Sequence, residues 1–177
     1  MLDIAVSYNR YKFIGYEFLT WLWFSTELET EYLKSLNPEM TDLEIGNRIV
    51  LENHVKKTSE TITIKGDDAD LEEGILSLNK GALVTELQLI YKSDNQEWLF
   101  TIKGESLSFF NLKLPQTGPI ESKEDMDGIV LEKIYLLEKL MAGMDKLYTE
   151  FVRLRVDPNW RKTIVPKIKA WVDKRSS

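Results

Sequence analysis

The chain has 177 residues, 43% of them apolar, which is enough to bury one sizeable core and disfavours a disordered chain or a repeat array. It contains no cysteine and one histidine, so disulfide scaffolds, thiol catalysis and the common zinc sites are excluded, and a reducing cytoplasm is the expected compartment. The formal net charge of −6 is unevenly divided, because residues 1–152 carry net −12 and residues 153–175 carry net +6.

The N-terminal region predicts a short strand and then a long aromatic helix. Residues 2–8 alternate between apolar and other residues, and a helix is expected from Phe13 to about Leu36. Its first three turns are apolar in almost every direction, so it needs cover on two sides. We expect the second cover to be a partner subunit or another domain. The candidate interface residues are Phe18, Trp21, Trp23 and Phe24.

The middle of the chain predicts an antiparallel sheet with one inserted helix. Apolar residues recur with period two, and polar or glycine-containing turns separate the runs. The predicted elements are strands around residues 43–51 and 62–64 with a turn at 54–58, a helix at 67–80 ended by Gly81, a hairpin of strands 83–91 and 97–103, and a strand at 106–114.

The C-terminal region predicts two helices. The first, from about Met126 to Leu154, carries apolar residues at alternating spacings of four and three: Val130, Ile134, Leu137, Met141, Met144, Tyr148 and Phe151. Leu136, Leu140 and Leu147 widen this stripe beyond a two-stranded seam, which favours packing on the sheet. Gly143 indicates a close crossing. The second helix follows Asp157 and buries Trp160 and Trp171.

These elements predict an α+β fold: an antiparallel sheet of about five to six strands, packed with the aromatic N-terminal helix, one short inserted helix and two C-terminal helices. Residues 1–115 form the aromatic helix and sheet, 116–125 a connector, and 126–177 a helical tail packing on the same core, so one domain is expected overall. No membrane partner is expected, because the run from Phe18 to Phe24 is far shorter than the ~20 residues of a spanning helix.

The sequence favours a binding protein over an enzyme. His54 lies in a predicted turn, and no nucleophile with a base and an orienting group can be assembled around it. The acidic residues Asp67, Asp68, Asp70, Glu72 and Glu73 lack calcium-loop spacing and are better explained as helix capping. Neither a phosphate loop nor a dinucleotide fingerprint is present, and no metal or other cofactor is expected. An unrecognised hydrolase is the minority alternative.

Residues 153–175, which we call the basic segment, are a candidate nucleic-acid surface. The basic segment carries eight cations in 23 residues: Arg153, Arg155, Arg161, Lys162, Lys167, Lys169, Lys174 and Arg175. Such a segment is found in polyanion-binding surfaces and also in solvated helices docked on an acidic body, and composition alone favours the docked helix. Because its tryptophans are expected to be buried, contact with a duplex backbone is favoured over stacking on single strands.

Several stretches resemble the C-terminal part of the recombination-associated protein RdgC family, particularly its short bacterial members. They are FIGYEFLTWLWF at 13–24, ITIKGDDADLEEG at 62–74, KGALVTEL at 80–87 and WLFTIKGESL at 98–107. The resemblance implies a non-enzymatic, homodimeric protein of the bacterial nucleoid that binds duplex DNA independently of sequence and modulates RecA-dependent recombination. The family's N-terminal half has no counterpart here, so a closed ring is not implied. The alternative is a protein-interaction or oligomerisation module without a nucleic-acid role, in which the aromatic helix and the helix with the four-three spacing form the partner surface.

Overall fold

The structure is a computed structural model that describes residues 13–55, 58–66, 68–119 and 122–175. Five helices are present in these ranges: α1 (Phe13–Leu28), α2 (Thr30–Leu36), α3 (Asp68–Asn79), α4 (Lys123–Val156) and α5 (Trp160–Arg175). Within the same ranges no helix is long and apolar enough to cross a membrane. The strand predicted at residues 2–8 lies outside the described residues.

Five antiparallel strands form one sheet. They are β1 (Asp42–Val55), β2 (Thr58–Lys65), β3 (Leu83–Ser93), β4 (Gln96–Lys103) and β5 (Ser108–Lys113), in the order β2-β1-β3-β4-β5. The predicted α+β fold is therefore confirmed, with its aromatic N-terminal helix, inserted helix and two C-terminal helices. The predicted hairpin is present as well, with Ser93 paired to Gln96 and Asp94 in the left-handed region at φ 52°.

Three element boundaries differ from the predictions. The aromatic helix is divided at Glu29 into α1 and α2. His54 lies in β1, paired in the ladder with Ser59, rather than in a turn. The connector is shorter than expected because α4 begins at Lys123, where the Ser122 hydroxyl accepts a hydrogen bond from the Asp125 amide at 3.1 Å. That bond satisfies one of the free amides of the first turn.

The helix α1 lies between the sheet and the two C-terminal helices. On one side it crosses β3. On the other, the Phe18 ring contacts the rings of Tyr148 and Phe151 at centroid distances of 5.2 and 5.4 Å, and the Trp23 ring contacts Trp171 at 5.4 Å. The expectation that a partner subunit or another domain covers α1 is therefore wrong: α4 and α5 of the same chain supply the second cover.

The helix α4 is held against the sheet by close contacts. Trp98 in β4 donates its indole N–H to the carbonyl of Leu136 at 3.1 Å. A Cβ on Gly143 would lie 2.8 Å from the hydroxyl oxygen of Tyr91, which confirms the close crossing predicted there. That hydroxyl also accepts a hydrogen bond from the Asn37 side chain at 2.9 Å. Buried side chains of α4 and α5 consequently belong to the same hydrophobic core as those of the sheet.

Candidate functional site

Four of the eight cations of the basic segment form ion pairs with acidic side chains of other turns or helices. Arg153 pairs with Glu150 at 2.6 Å, Arg155 with Glu17 at 2.5 Å, Lys167 with Glu29 at 2.6 Å and Arg175 with Glu27 at 2.6 Å. Glu17 and Glu27 lie in α1, and Glu29 is the residue that follows it. This half of the segment fits a basic helix docked on an acidic body.

The carboxylate of Glu27 is the centre of the contact between α1 and α5. It accepts hydrogen bonds from the indole N–H of Trp23 at 2.8 Å, from the indole N–H of Trp171 at 2.9 Å and from the guanidinium of Arg175 at 2.6 Å. Hydrogen bonds to an ionised acceptor are the stronger ones. Arg175 is therefore a structural residue, although sequence reasoning grouped it with the DNA-binding candidates.

A second ionic cluster joins α2 to the end of α4. The Tyr32 hydroxyl donates to Glu150, which also accepts two hydrogen bonds from Arg153 at 2.6 Å each. Burial raises the pKa of Tyr32, and the bond to Glu150 raises it further. The hydrogen bond from Arg153 lowers the pKa of Glu150. Arg153 is consequently held in place by a side chain of its own helix, and its charge is locally neutralised.

The other four cations of the segment have no ion pair within the described ranges. Arg161, Lys162, Lys169 and Lys174 are all exposed on α5. At 3.6 residues per turn, Lys162 and Lys169 lie on one flank of this helix and Lys174 on the other. The structure thus places the eight predicted residues at the end of α4 and along α5, and half of them have no ion pair within the described residues.

The predicted oligomer interface is corrected by the structure. Phe18, Trp21, Trp23 and Phe24 have exposed fractions of 0% to 3% and lie in the hydrophobic core. They cannot contact a second subunit in this fold, because the sheet, α4 and α5 enclose them. The prediction failed because a helix that is apolar on all sides must be buried on two sides, but its sequence does not show whether its own chain or another one buries it.

About four turns of α4, from Met126 to Met141, carry an exposed apolar face, although packing on the sheet was the use expected of this stripe. Seven side chains on these turns have exposed fractions between 40% and 68%: Met126, Val130, Leu131, Ile134, Tyr135, Leu137 and Met141. Contiguous apolar patches of this kind on a protein surface mark interaction sites. We call Val130, Ile134, Leu137 and Met141 the α4 seam, since they follow one another at spacings of four, three and four residues.

The packing of α4 differs from the sequence prediction in which stripe is buried. Leu136, Leu140 and Leu147, which only widened the predicted stripe, are the side chains that pack against the rest of the chain. The predicted stripe itself is buried only at its C-terminal end, at Met144 and Phe151. Packing of the whole four-three stripe on the sheet, the expected use, is therefore wrong for the α4 seam, whereas the interaction-module alternative did place this helix in the partner surface.

A groove of about 530 Å³ opens between α1, α3 and α5. Its lining side chains are mostly apolar, and Thr20, which lies in it, donates its hydroxyl hydrogen to the Tyr16 carbonyl at 3.0 Å. Glu17, which also lines the groove, forms an ion pair with Arg155. The lining residues include neither histidine nor cysteine, and the charged side chains among them are Glu17, Lys169 and Asp173.

Metal ligation was not expected from the sequence, and the described residues contain no group of three His, Cys, Asp or Glu side chains that could hold a metal ion. Asp67 of the predicted capping cluster lies outside them. Comparisons with protein-family models, with curated proteins and with solved structures found no match to this chain.

Proposed function

We propose that this protein is an assembly module that self-associates through the outer face of α4, with a second copy of the chain as the occupant of that face. The observation that carries the proposal is the exposure of seven apolar side chains on four consecutive turns of one helix. A patch that a monomer leaves open to water is stabilised when another apolar surface covers it.

A second copy fits this face because the α4 seam has the spacing of a helix-helix contact. Spacings of four and three residues keep the apolar side chains in line along the helix, so that they interlock with an identical row on a partner helix. The face extends from Met126 to Met141, roughly 24 Å at 1.5 Å per residue. One helix face of this length lies at the small end of protein–protein interfaces, so we expect association in the micromolar range.

The test is a charge placed in the middle of the seam. Replacing Ile134 with lysine is expected to convert a dimer at tens of micromolar into a monomer of 20.6 kDa, measured by sedimentation equilibrium. The lysine would be desolvated in the dimer without a partner, at a cost of several kcal/mol. Far-UV circular dichroism is expected to stay unchanged, because the Ile134 side chain is already half exposed in the single chain.

The matched control is Glu132→Lys. Glu132 is exposed on the same helix, about half a turn from the seam, so the changed charge stays in water. This variant is expected to dimerise like the original protein. A wild-type chain that remains monomeric up to about 200 µM, far above the micromolar range expected of a contact this small, would overturn the proposed self-association.

A second candidate function is sequence-independent binding of duplex DNA, which the resemblance to the RdgC family implies together with a functional link to RecA. The observation in its favour is that Arg161, Lys162, Lys169 and Lys174 are exposed on α5 without an ion pair in the described residues. Unpaired cations can neutralise phosphates and release counterions, so affinity depends on local charge more than on the acidic total.

Reversing these four cations to glutamate tests the DNA proposal. Duplex binding in electrophoretic shift assays is expected to fall for every sequence, and the slope of log affinity against log salt is expected to flatten by up to about 3.6, at 0.9 per lost phosphate contact. The matched control reverses four exposed lysines elsewhere on the chain, Lys65, Lys80, Lys103 and Lys113, with the same change in net charge. Equal losses in both variants would refute the assignment of the site to α5.

A further inference from the structure

We infer that the second copy pairs with α4 in parallel, and that Lys133 of each chain forms an ion pair with the partner's Glu138. This inference rests on the proposed self-association and specifies its geometry. In the heptad notation of helix pairs, Ile134 and Met141 occupy a positions and Val130 and Leu137 occupy d positions. Ile134 at a and Leu137 at d form the combination that favours two strands in parallel helix pairs.

The residues that flank the seam are complementary in a parallel pair. A side chain at g then lies beside the partner's e residue five positions further along the sequence. By this rule Met126 meets the partner's Leu131, and Lys133 meets the partner's Glu138. The first contact joins two exposed apolar side chains, and the second joins opposite charges. Within the described residues, neither Lys133 nor Glu138 has an ion pair inside its own chain.

An antiparallel pair that buries the same seam loses both complementary contacts. Side chains at e then face each other, as do those at g. Glu138 would lie beside the partner's Leu131, and Lys133 beside the partner's Leu140, which is buried within its own chain. Each lysine and glutamate would be partly desolvated next to a leucine, which is unfavourable without a compensating charge.

The position of the sheet relative to the seam also favours the parallel pair. Leu136 and Leu140, which pack against the rest of the chain, lie roughly a third of a turn around α4 from the seam. In a parallel pair the two-fold axis runs along the helices, so the two sheets lie on opposite sides of the helix pair. In an antiparallel pair the axis is perpendicular to the helices, and both sheets lie on the same side, where they compete for space.

The pairing is confined to the first half of α4. Beyond Met141 the next residues in the four-three series, Met144 and Phe151, are buried against the chain's own core. Phe151 contacts the rings of Phe18 and Trp21 there. The two copies therefore separate after about four turns, and the C-terminal ends of both α4 helices lie at the same end of the dimer.

The test uses the full chain and two charge variants, K133E and E138K. In a parallel dimer each variant alone places two like-charged pairs across the seam, and we expect each to dimerise about tenfold more weakly than the wild type, in line with the modest strength of exposed pairs. An equimolar mixture restores both opposite-charge pairs and is expected to form a heterodimer as stable as the wild-type dimer. The doubly substituted chain, with both changes, is expected to form the wild-type-strength homodimer again.

The outcomes separate the inference from the proposed function. Dimers that persist in both single variants, with no preference for the mixed pair, would overturn the parallel arrangement while leaving self-association through α4 intact. A wild-type chain that stays monomeric would overturn both. Sedimentation equilibrium gives the stabilities of the homodimers, and energy transfer between differently labelled chains reports the heterodimer. Circular dichroism checks that the variants are folded, which we expect because both side chains are exposed.

Discussion

Replacing Trp21 with alanine is expected to lower the free energy of unfolding by about 3–5 kcal/mol, the range measured for deleting a large buried aromatic side chain. The Trp21 side chain is fully buried. Its ring lies 5.7 Å from that of Phe151 and 6.2 Å from that of Phe18, so its loss opens a cavity where α1 meets α4. Urea unfolding followed by circular dichroism measures the change. A variant as stable as the wild type would contradict the placement of Trp21 in the core.

Replacing either Trp21 or Trp23 with phenylalanine, one at a time, compares the hydrogen bonding of two fully buried indole N–H groups. Within the described residues the indole N–H of Trp21 has no hydrogen-bond partner, whereas that of Trp23 donates to Glu27 at 2.8 Å. Removing an unpaired buried donor relieves a desolvation cost, and removing a paired one loses a bond to a charged acceptor. Trp23→Phe is therefore expected to destabilise the protein by about 1–2 kcal/mol more than Trp21→Phe. Equal effects would contradict the role assigned to Glu27.

The class of the fold was predictable from the sequence because its local signals agree with one another. Period-two alternation marks the strands, and the polar residues between Ser93 and Gln96 mark the hairpin. The end of α3 was predictable from Gly81, whose φ of 91° suits glycine and few other residues. These signals are short in range, so each can be found without knowing how the elements pack.

The packing of α4 was not predictable in the same way, because its sequence contains two apolar stripes. One stripe follows the four-three spacing through Ile134 and Leu137, and the other passes through Leu136 and Leu140. Both satisfy the periodicity of a helix, and helical periodicity alone does not select between them. The choice depends on the sheet, where Trp98 donates to the Leu136 carbonyl and fixes the rotation of the helix.

The basic segment illustrates a second limit of sequence reasoning. Its net charge of +6 was visible, but the acids that neutralise part of it lie far away in the sequence: Glu17, Glu27 and Glu29 each precede their own cation partner by more than 130 residues. A formal charge count cannot show which cations are paired. Within the described parts of the chain, four of the eight candidate DNA-binding cations have no ion pair, and these four are the ones that the charge-reversal experiment tests.

Alanine at position 15 is expected to destabilise the protein by about 3 kcal/mol, at the upper end of the usual range for overpacking a filled interior. A Cβ at this position would lie 1.8 Å from the carbonyl oxygen of Gly104 and 2.8 Å from its carbonyl carbon. The obstacle is backbone rather than the end of a flexible side chain. It is also fixed from the other side, because the Gly104 amide donates to the Thr85 carbonyl at 2.8 Å. The first turn of α1 must therefore move away from the turn that follows β4.

The matched control for this substitution is Gly128→Ala in α4. A Cβ at Gly128 would meet nothing within 4 Å, so the only expected effect is the better helix propensity of alanine, a gain of about 1 kcal/mol. The two variants add the same methyl group to a helix and are expected to shift the urea midpoint in opposite directions. If Gly15→Ala unfolds at the wild-type midpoint, α1 does not approach the β4 turn this closely, and the enclosure of the aromatic helix would have to be reconsidered.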